Sequence, residues 1–126
     1  MRHLLYILAA FSTIWPTAIF ASDNDAVWLS AGTVTNGSVT EGRSQNYFLK
    51  ASSNKTVTIT VNGQSDLCRA DVSKQSRNVP MSTISQFPAS VSDIGVAGDV
   101  YKIAFFQSRT AWVDAKPCAF VLTLAE

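Results

Sequence analysis

Histidine is almost absent from this chain of 126 residues, and its single copy, His3, lies close to the amino terminus. Cysteine occurs only twice, at Cys68 and Cys118, without the CxxC spacing of zinc or redox motifs. Without another histidine, the rest of the chain excludes a Ser-His-Asp triad, a Cys-His pair and an imidazole-ligated metal. We therefore predict a binding protein that is not an enzyme and that uses no cofactor and no metal.

An excess of charge of either sign is also missing. Lys+Arg is 10 and Asp+Glu is 9, and residues 1–21 hold Arg2 but no acidic residue, which leaves 10 − 1 = 9 against 9 − 0 = 9. A neutral chain with interspersed charges excludes nucleic acid or an anionic membrane surface as its main partner. Glutamate occurs only as Glu41 and the terminal Glu126, so a carboxylate pair for glycoside hydrolysis is not expected.

The first 21 residues have the pattern of a secretory signal peptide. Arg2 supplies the positive start, Leu4–Trp15 is an apolar stretch of suitable length, and Pro16 follows it. A membrane anchor is the alternative, but the apolar stretch is short for a span and no second one follows. We predict cleavage after Ala21, a single domain over residues 22–126, and a periplasmic or secreted bacterial location without membrane attachment.

An exported chain enters an oxidising compartment, where two cysteines usually pair. The only possible pairing is Cys68 with Cys118, which closes a loop of roughly 50 residues and stabilises by about 4 kcal/mol in the chain-entropy model. We predict a structural disulfide.

Alternating apolar and polar residues predict β-strands in the mature chain. The clearest case is Thr56–Asn62, in which Val57, Ile59 and Val61 share one face and the threonines share the other. Similar patterns occur in five further segments: Ala26–Ser30, Gln45–Ala51, Leu67–Val72, Asp99–Gln107 and Ala119–Leu124.

These short, regularly spaced strands predict an all-β fold, a single antiparallel β-sandwich of about seven or eight strands with one disulfide. Asn36–Gly37 is a strong turn signal, so we expect it to interrupt the strand in residues 32–39. Residues 74–98, with Pro80 and Pro88, are expected to form a long connection with one or two edge strands.

The best candidate site is the connection between the last two strong strands, residues 107–117. It is longer than the two to five residues that a plain hairpin needs, and it carries Arg109, Trp112, Asp114 and Lys116. Tryptophan and arginine are enriched at binding hot spots. Either this loop projects into the cleft of a partner, or Trp112 caps the core and the charges are only solvated.

The sequence also resembles a known family. Asn36-Gly37-Ser38-Val39, Tyr47–Ala51, Lys55–Ile59 and Gly98–Ile103 resemble segments of bacterial pre-peptidase C-terminal domains, and still more those of the periplasmic inhibitors of goose-type lysozyme. The resemblance implies an exported β-sandwich that inserts an arginine-bearing loop between its last two strands into the lysozyme cleft, with a tyrosine from an earlier strand.

The positions that match this pattern are Arg109 and Tyr47. The family's loop has a second basic residue where this chain has Val113, and Lys116 is the nearest substitute. The expected partner contacts are Tyr47, Ser108, Arg109, Trp112 and Lys116.

The resulting hypothesis is a periplasmic protein inhibitor of a cell-wall hydrolase, with goose-type lysozyme favoured. The alternatives are an immunity protein against a peptidoglycan-degrading toxin, or a carbohydrate- or protein-binding accessory module of the pre-peptidase type.

Overall fold

The computed structural model describes residues 26–126, so the expected signal peptide lies outside the described residues. Within this range the chain forms nine β-strands, a single-turn 3-10 helix (Gln75–Arg77) and one short α-helix. They are β1 (Ala26–Leu29), β2 (Val34–Val39), β3 (Ser44–Lys50), β4 (Thr56–Gly63), β5 (Cys68–Lys74), β6 (Val79–Ile84), β7 (Ala89–Ile94), β8 (Val100–Gln107), α1 (Arg109–Val113) and β9 (Cys118–Ala125).

The strands form two packed sheets. Sheet A has the order β1-β3-β8-β5-β6 and sheet B the order β2-β9-β4-β7. All neighbours are antiparallel except β1 and β3, which are parallel. The predicted all-β sandwich is confirmed, with nine strands instead of seven or eight and with one parallel pair. The 74–98 segment supplies an edge strand to each sheet, β6 and β7.

The core follows the period-two pattern of the sequence. Val57, Ile59 and Val61 of β4 are buried as predicted, and the threonines between them lie on the outer face of sheet B. At the centre, the rings of Phe105 from sheet A and Phe120 from sheet B stack with their centroids 3.8 Å apart. Each large apolar side chain that is removed from water contributes roughly 1.5–3 kcal/mol to stability. The apolar side chains on the inner faces of the two sheets therefore hold the sheets together.

The predicted disulfide between Cys68 and Cys118 is present, and both residues are fully buried. Cys68 opens β5 in sheet A and Cys118 opens β9 in sheet B, with their Cα atoms 5.0 Å apart. The bridge therefore joins the two sheets directly, at the end of the sandwich where the 107–117 segment connects β8 to β9.

The prediction of a turn at Asn36–Gly37 is wrong, because both residues lie inside β2. Gly37 pairs with Phe120 of β9, and a Cβ atom at Gly37 would overlap the Phe120 ring and lie 2.8 Å from the Tyr47 hydroxyl. The glycine is required here because two aromatic side chains approach the strand closely, and not because the backbone reverses direction.

Candidate functional site

The connection between β8 and β9 folds into the single helical turn α1, where an open loop was expected. Ser108 caps this turn: its Oγ accepts a hydrogen bond from the Ala111 N–H at 3.1 Å and donates one to the Asp66 carbonyl at 2.6 Å. An oxygen side chain at this position satisfies a backbone donor that the helix leaves free. Ser108 is 2% exposed, so it positions α1 and offers no surface for the direct contact that we expected of it.

Gln107, the last residue of β8, ties α1 to the turn between β2 and β3. Its Oε1 accepts a hydrogen bond from the Gly42 N–H at 2.8 Å. Its Nε2 donates to the Lys116 carbonyl at 2.7 Å and to the Ala111 carbonyl at 3.4 Å. This nearly buried amide thus fixes both ends of the 107–117 segment against a turn that is 65 residues away in sequence.

Trp112 lies on the surface above that turn and is 60% exposed. Gly42 has a φ of 71°, in the left-handed region that favours glycine, and a Cβ atom there would lie 3.1 Å from Trp112 Nε1. The Trp112 indole therefore packs on the backbone of Gly42, where no side chain intervenes. Arg109, one helical turn before it, is also exposed. The segment presents a tryptophan and an arginine to solvent on a support that is fixed by hydrogen bonds.

Arg43 is the residue of this site that the sequence did not reveal. It lines, together with Arg109, Trp112 and Phe106, an open cleft of about 660 Å³. Its nearest acidic group is Glu41 at 3.8 Å, and since both side chains are about three-quarters exposed, this ion pair is weak. The cleft combines two guanidinium groups with aromatic surface, which is a chemistry suited to carboxylates beside an apolar wall. We call it the arginine cleft.

The other two expected contact residues lie elsewhere. Tyr47 is 5% exposed and packs edge-on against Phe105 and Phe120, at centroid distances of 6.2 and 5.9 Å. Burial raises the pKa of its phenol. Lys116 is exposed but lines a different depression, beside Asn62 on the sheet B side. The structure thus brings Arg109 and Trp112 together with Arg43, and separates them from Tyr47 and Lys116.

A second polar cluster lies at the opposite end of the sandwich. Asp93 accepts hydrogen bonds from the Lys74 ammonium group and from the Tyr101 hydroxyl, both at 2.6 Å. Asp99 lies 3.6 Å from Lys74 and 3.2 Å from Arg77. Since a lysine occupies the space between the two carboxylates, we assign this cluster a structural role: it connects β5, β7 and the loop before β8.

The same cluster makes stability depend on pH. Hydrogen bonds from Lys74 and Tyr101 hold the pKa of Asp93 below its ordinary value, and the Val96 N–H with Arg77 and Lys74 lowers the pKa of Asp99. Unfolded aspartate titrates near pH 4 (about 3.9). A lowered folded pKa stabilises the protein above that pH, and this contribution is lost as the pH falls through the folded value.

We expect the melting temperature to be nearly constant from about pH 5 to 8 and to fall below about pH 4. Asp93→Asn should lower it at pH 7 and reduce its dependence on acid, as measured by thermal unfolding at pH 7 and 3. The control is Asp71→Asn, at an exposed position for which no ion pair occurs within residues 26–126. Equal acid sensitivity of Asp93→Asn and the unmodified protein would contradict the assignment.

Among residues 26–126, no three His, Cys, Asp or Glu side chains are grouped so that they could hold a metal ion. In the same part of the chain, no helix has the length and apolar character that a membrane span requires.

The fold and the cleft define a disulfide-linked β-sandwich with a rigid, cationic and aromatic surface at one end. No protein-family model and no curated protein matches the sequence. Known structures do share the fold. The pre-peptidase C-terminal domain of a Bacillus anthracis collagenase is similar with a TM-score of 0.63 and 14% identity, over 80% of this chain and 95% of that one.

The periplasmic inhibitor of g-type lysozyme from Aeromonas hydrophila is similar with a TM-score of 0.57 and 15% identity, over 80% of this chain and 98% of that one. CorA, a surface-associated copper-binding protein of Methylomicrobium album BG8, has a TM-score of 0.53 and 11% identity, over 80% and 97% of the two chains. At these identities the likeness establishes the sandwich fold. Because the three neighbours have different roles, function has to be argued from the site.

Proposed function

We propose that this protein is a periplasmic or secreted inhibitor of a peptidoglycan-degrading hydrolase, with goose-type lysozyme the favoured target. The observation that supports it is the arginine cleft, in which Arg43, Arg109 and Trp112 face solvent from segments that the partly buried hydrogen bonds of Gln107 fix together. The likeness to the Aeromonas inhibitor of g-type lysozyme supports the same class of partner.

The proposed mechanism is steric and electrostatic. Glycoside hydrolases place acidic side chains on either side of the bond that they cleave. A guanidinium group binds such a carboxylate through paired, charge-assisted hydrogen bonds, and an indole buries apolar surface on the cleft wall. The inhibitor then competes with substrate without any chemical step. Its rigid α1 turn reduces the entropy that is lost on binding.

The test is lysis of purified peptidoglycan by goose-, chicken- and invertebrate-type lysozymes, with and without the mature protein. We expect slowing of the goose-type enzyme at equimolar inhibitor, and Arg109→Ala should weaken inhibition by about tenfold or more. A hydrogen bond to a charged group contributes roughly 1.5–3 kcal/mol, which corresponds to at least that factor.

The matched control is Lys55→Ala, which removes one positive charge from the exposed turn between β3 and β4 at the opposite end of the sandwich. Both variants should keep the melting temperature of the unmodified protein. If no lysozyme is slowed, the proposed function is wrong. If Arg109→Ala inhibits as well as Lys55→Ala does, the arginine cleft is not the contact surface.

A further inference from the structure

A second exposed tryptophan lies outside the arginine cleft, on the outer face of sheet A. Trp28 of the edge strand β1 is 59% exposed, and it lies opposite Phe48 of β3 in the parallel register. The two rings stack with centroids 5.2 Å apart and an interplanar angle of 28°. This pair, which we call the aromatic platform, leaves a flat apolar surface of about ring size in water, where burial would be favourable.

The surroundings of the platform are polar. Trp28 borders a small cleft of about 370 Å³ that Lys50, Ser52 and Glu126 also line. Ser52 fixes the Glu126 carboxylate with its hydroxyl at 2.5 Å and its N–H at 3.0 Å. On the other side, Lys102 of β8 lies directly opposite Phe48 in the antiparallel register. Two lysines therefore flank the stacked rings.

The size of the platform argues against a protein partner. A fully buried aromatic side chain covers roughly 150–250 Å², and these two rings are only partly exposed. A stable protein interface needs about 800 Å² from each partner. Stacked nucleic-acid bases would fit the rings, but the neutral net charge of residues 22–126 offers no attraction for a phosphate backbone. A ligand of ring size, with an apolar face and a polar rim, fits better.

Sugar rings have this character, because their C–H bonds form an apolar face and their hydroxyl groups project around the edge. Lys50 and Lys102 beside the rings outnumber the single Glu126 carboxylate, which favours a glycan whose substituents carry carboxylates. We propose that the aromatic platform binds a sugar ring of an acidic cell-wall glycan. The platform and the arginine cleft occupy different positions: along β3, Phe48 lies four residues, or about 13 Å, beyond the end of the strand that adjoins the cleft.

The test is co-sedimentation with purified insoluble peptidoglycan over a range of protein concentrations. We expect saturable retention of the mature protein and a loss of affinity of about tenfold or more in Trp28→Ala. The matched control is Trp112→Ala, which removes the same residue type at nearly the same exposure, 60%. Trp112→Ala should be retained normally on peptidoglycan and should inhibit lysozyme poorly. Trp28→Ala should be retained poorly and should inhibit lysozyme normally.

Two further measurements make the assignment specific. Lys50→Ala with Lys102→Ala should weaken retention on peptidoglycan, and the unmodified protein should bind neutral chitin or cellulose more weakly than peptidoglycan. Trp28→Tyr, which keeps an aromatic ring, should retain part of the affinity. Failure of the unmodified protein to sediment, equal retention of Trp28→Ala, or equal loss in Trp112→Ala would overturn the proposal. Retention without inhibition of any lysozyme would contradict only the inhibitor function.

Discussion

Loss of the Cys68–Cys118 bridge should lower the free energy of unfolding by about 4 kcal/mol and the melting temperature by roughly 15–25 °C. The bridge closes a loop of 50 residues, and the entropy that it removes from the unfolded chain grows with the length of the loop. In the folded state it joins β5 of sheet A to β9 of sheet B, two strands that belong to different sheets.

The measurement is thermal unfolding of the unmodified protein with and without a reductant, beside the double variant Cys68→Ala/Cys118→Ala. Reduction removes the cross-link but keeps both sulfur atoms in the core, so it separates the entropic contribution from the small cavities that alanine leaves. The reductant should not affect the double variant. If reduction lowers the melting temperature by less than about 5 °C, the loop-closure argument overestimates how much the bridge stabilises the protein.

The parts of the fold that sequence predicts well are those in which neighbouring residues carry the signal. Val57, Ile59 and Val61 alternate with threonines, and this local pattern alone places one face of β4 in the core. The disulfide is equally predictable, since two cysteines permit only one pairing. These predictions depended on no knowledge of which strands are adjacent.

One prediction that failed depends on a contact between distant segments, and a second overlooked a local pattern. Asn36–Gly37 has the composition of a turn, but the space at Gly37 is taken by Phe120, which is more than eighty residues later in the chain. The expected partner contact at Tyr47 rests on the family resemblance. Its phase with Leu49, which also faces the core, was a local signal that it points inward.

The residues of the candidate site also differ in how far the sequence predicts them. Arg109 and Trp112 stand out because their residue types are unusual within one short connection, and the structure does place both on the surface. Arg43 belongs to a separate turn, which the pairing of Ser44 with Phe106 and the hydrogen bond from Gly42 to Gln107 bring to the cleft. Neither segment contains a sequence pattern that predicts the contact between Gly42 and Gln107, which are 65 residues apart. The Glu41-Gly42-Arg43 turn offered only a glycine beside a charged residue as a hint.

Gln107→Leu should damage both stability and the proposed inhibition, because this side chain joins the two halves of the arginine cleft. Leucine matches the size of glutamine but leaves the Gly42 N–H and the Lys116 carbonyl without their partner. Both hydrogen bonds are only partly buried, so water can replace part of each, and a net loss of roughly 0.5–1.5 kcal/mol per bond should lower the free energy of unfolding by about 2 kcal/mol. Loss of these two hydrogen bonds should also loosen the Gly42 turn and α1, the supports on which Trp112 and Arg109 lie, whereas the pairing of Ser44 with Phe106 remains.

The matched control is Gln64→Leu, the same replacement at an exposed glutamine whose side chain has no hydrogen bond within the described part of the chain. Urea unfolding gives the stability of each variant, and lysozyme inhibition is then measured at a temperature where both are fully folded. We expect at least a tenfold loss of inhibition in Gln107→Leu and none in Gln64→Leu. Inhibition that survives the loss of stability would mean that the hydrogen bonds of Gln107 are not needed to present Arg109 and Trp112.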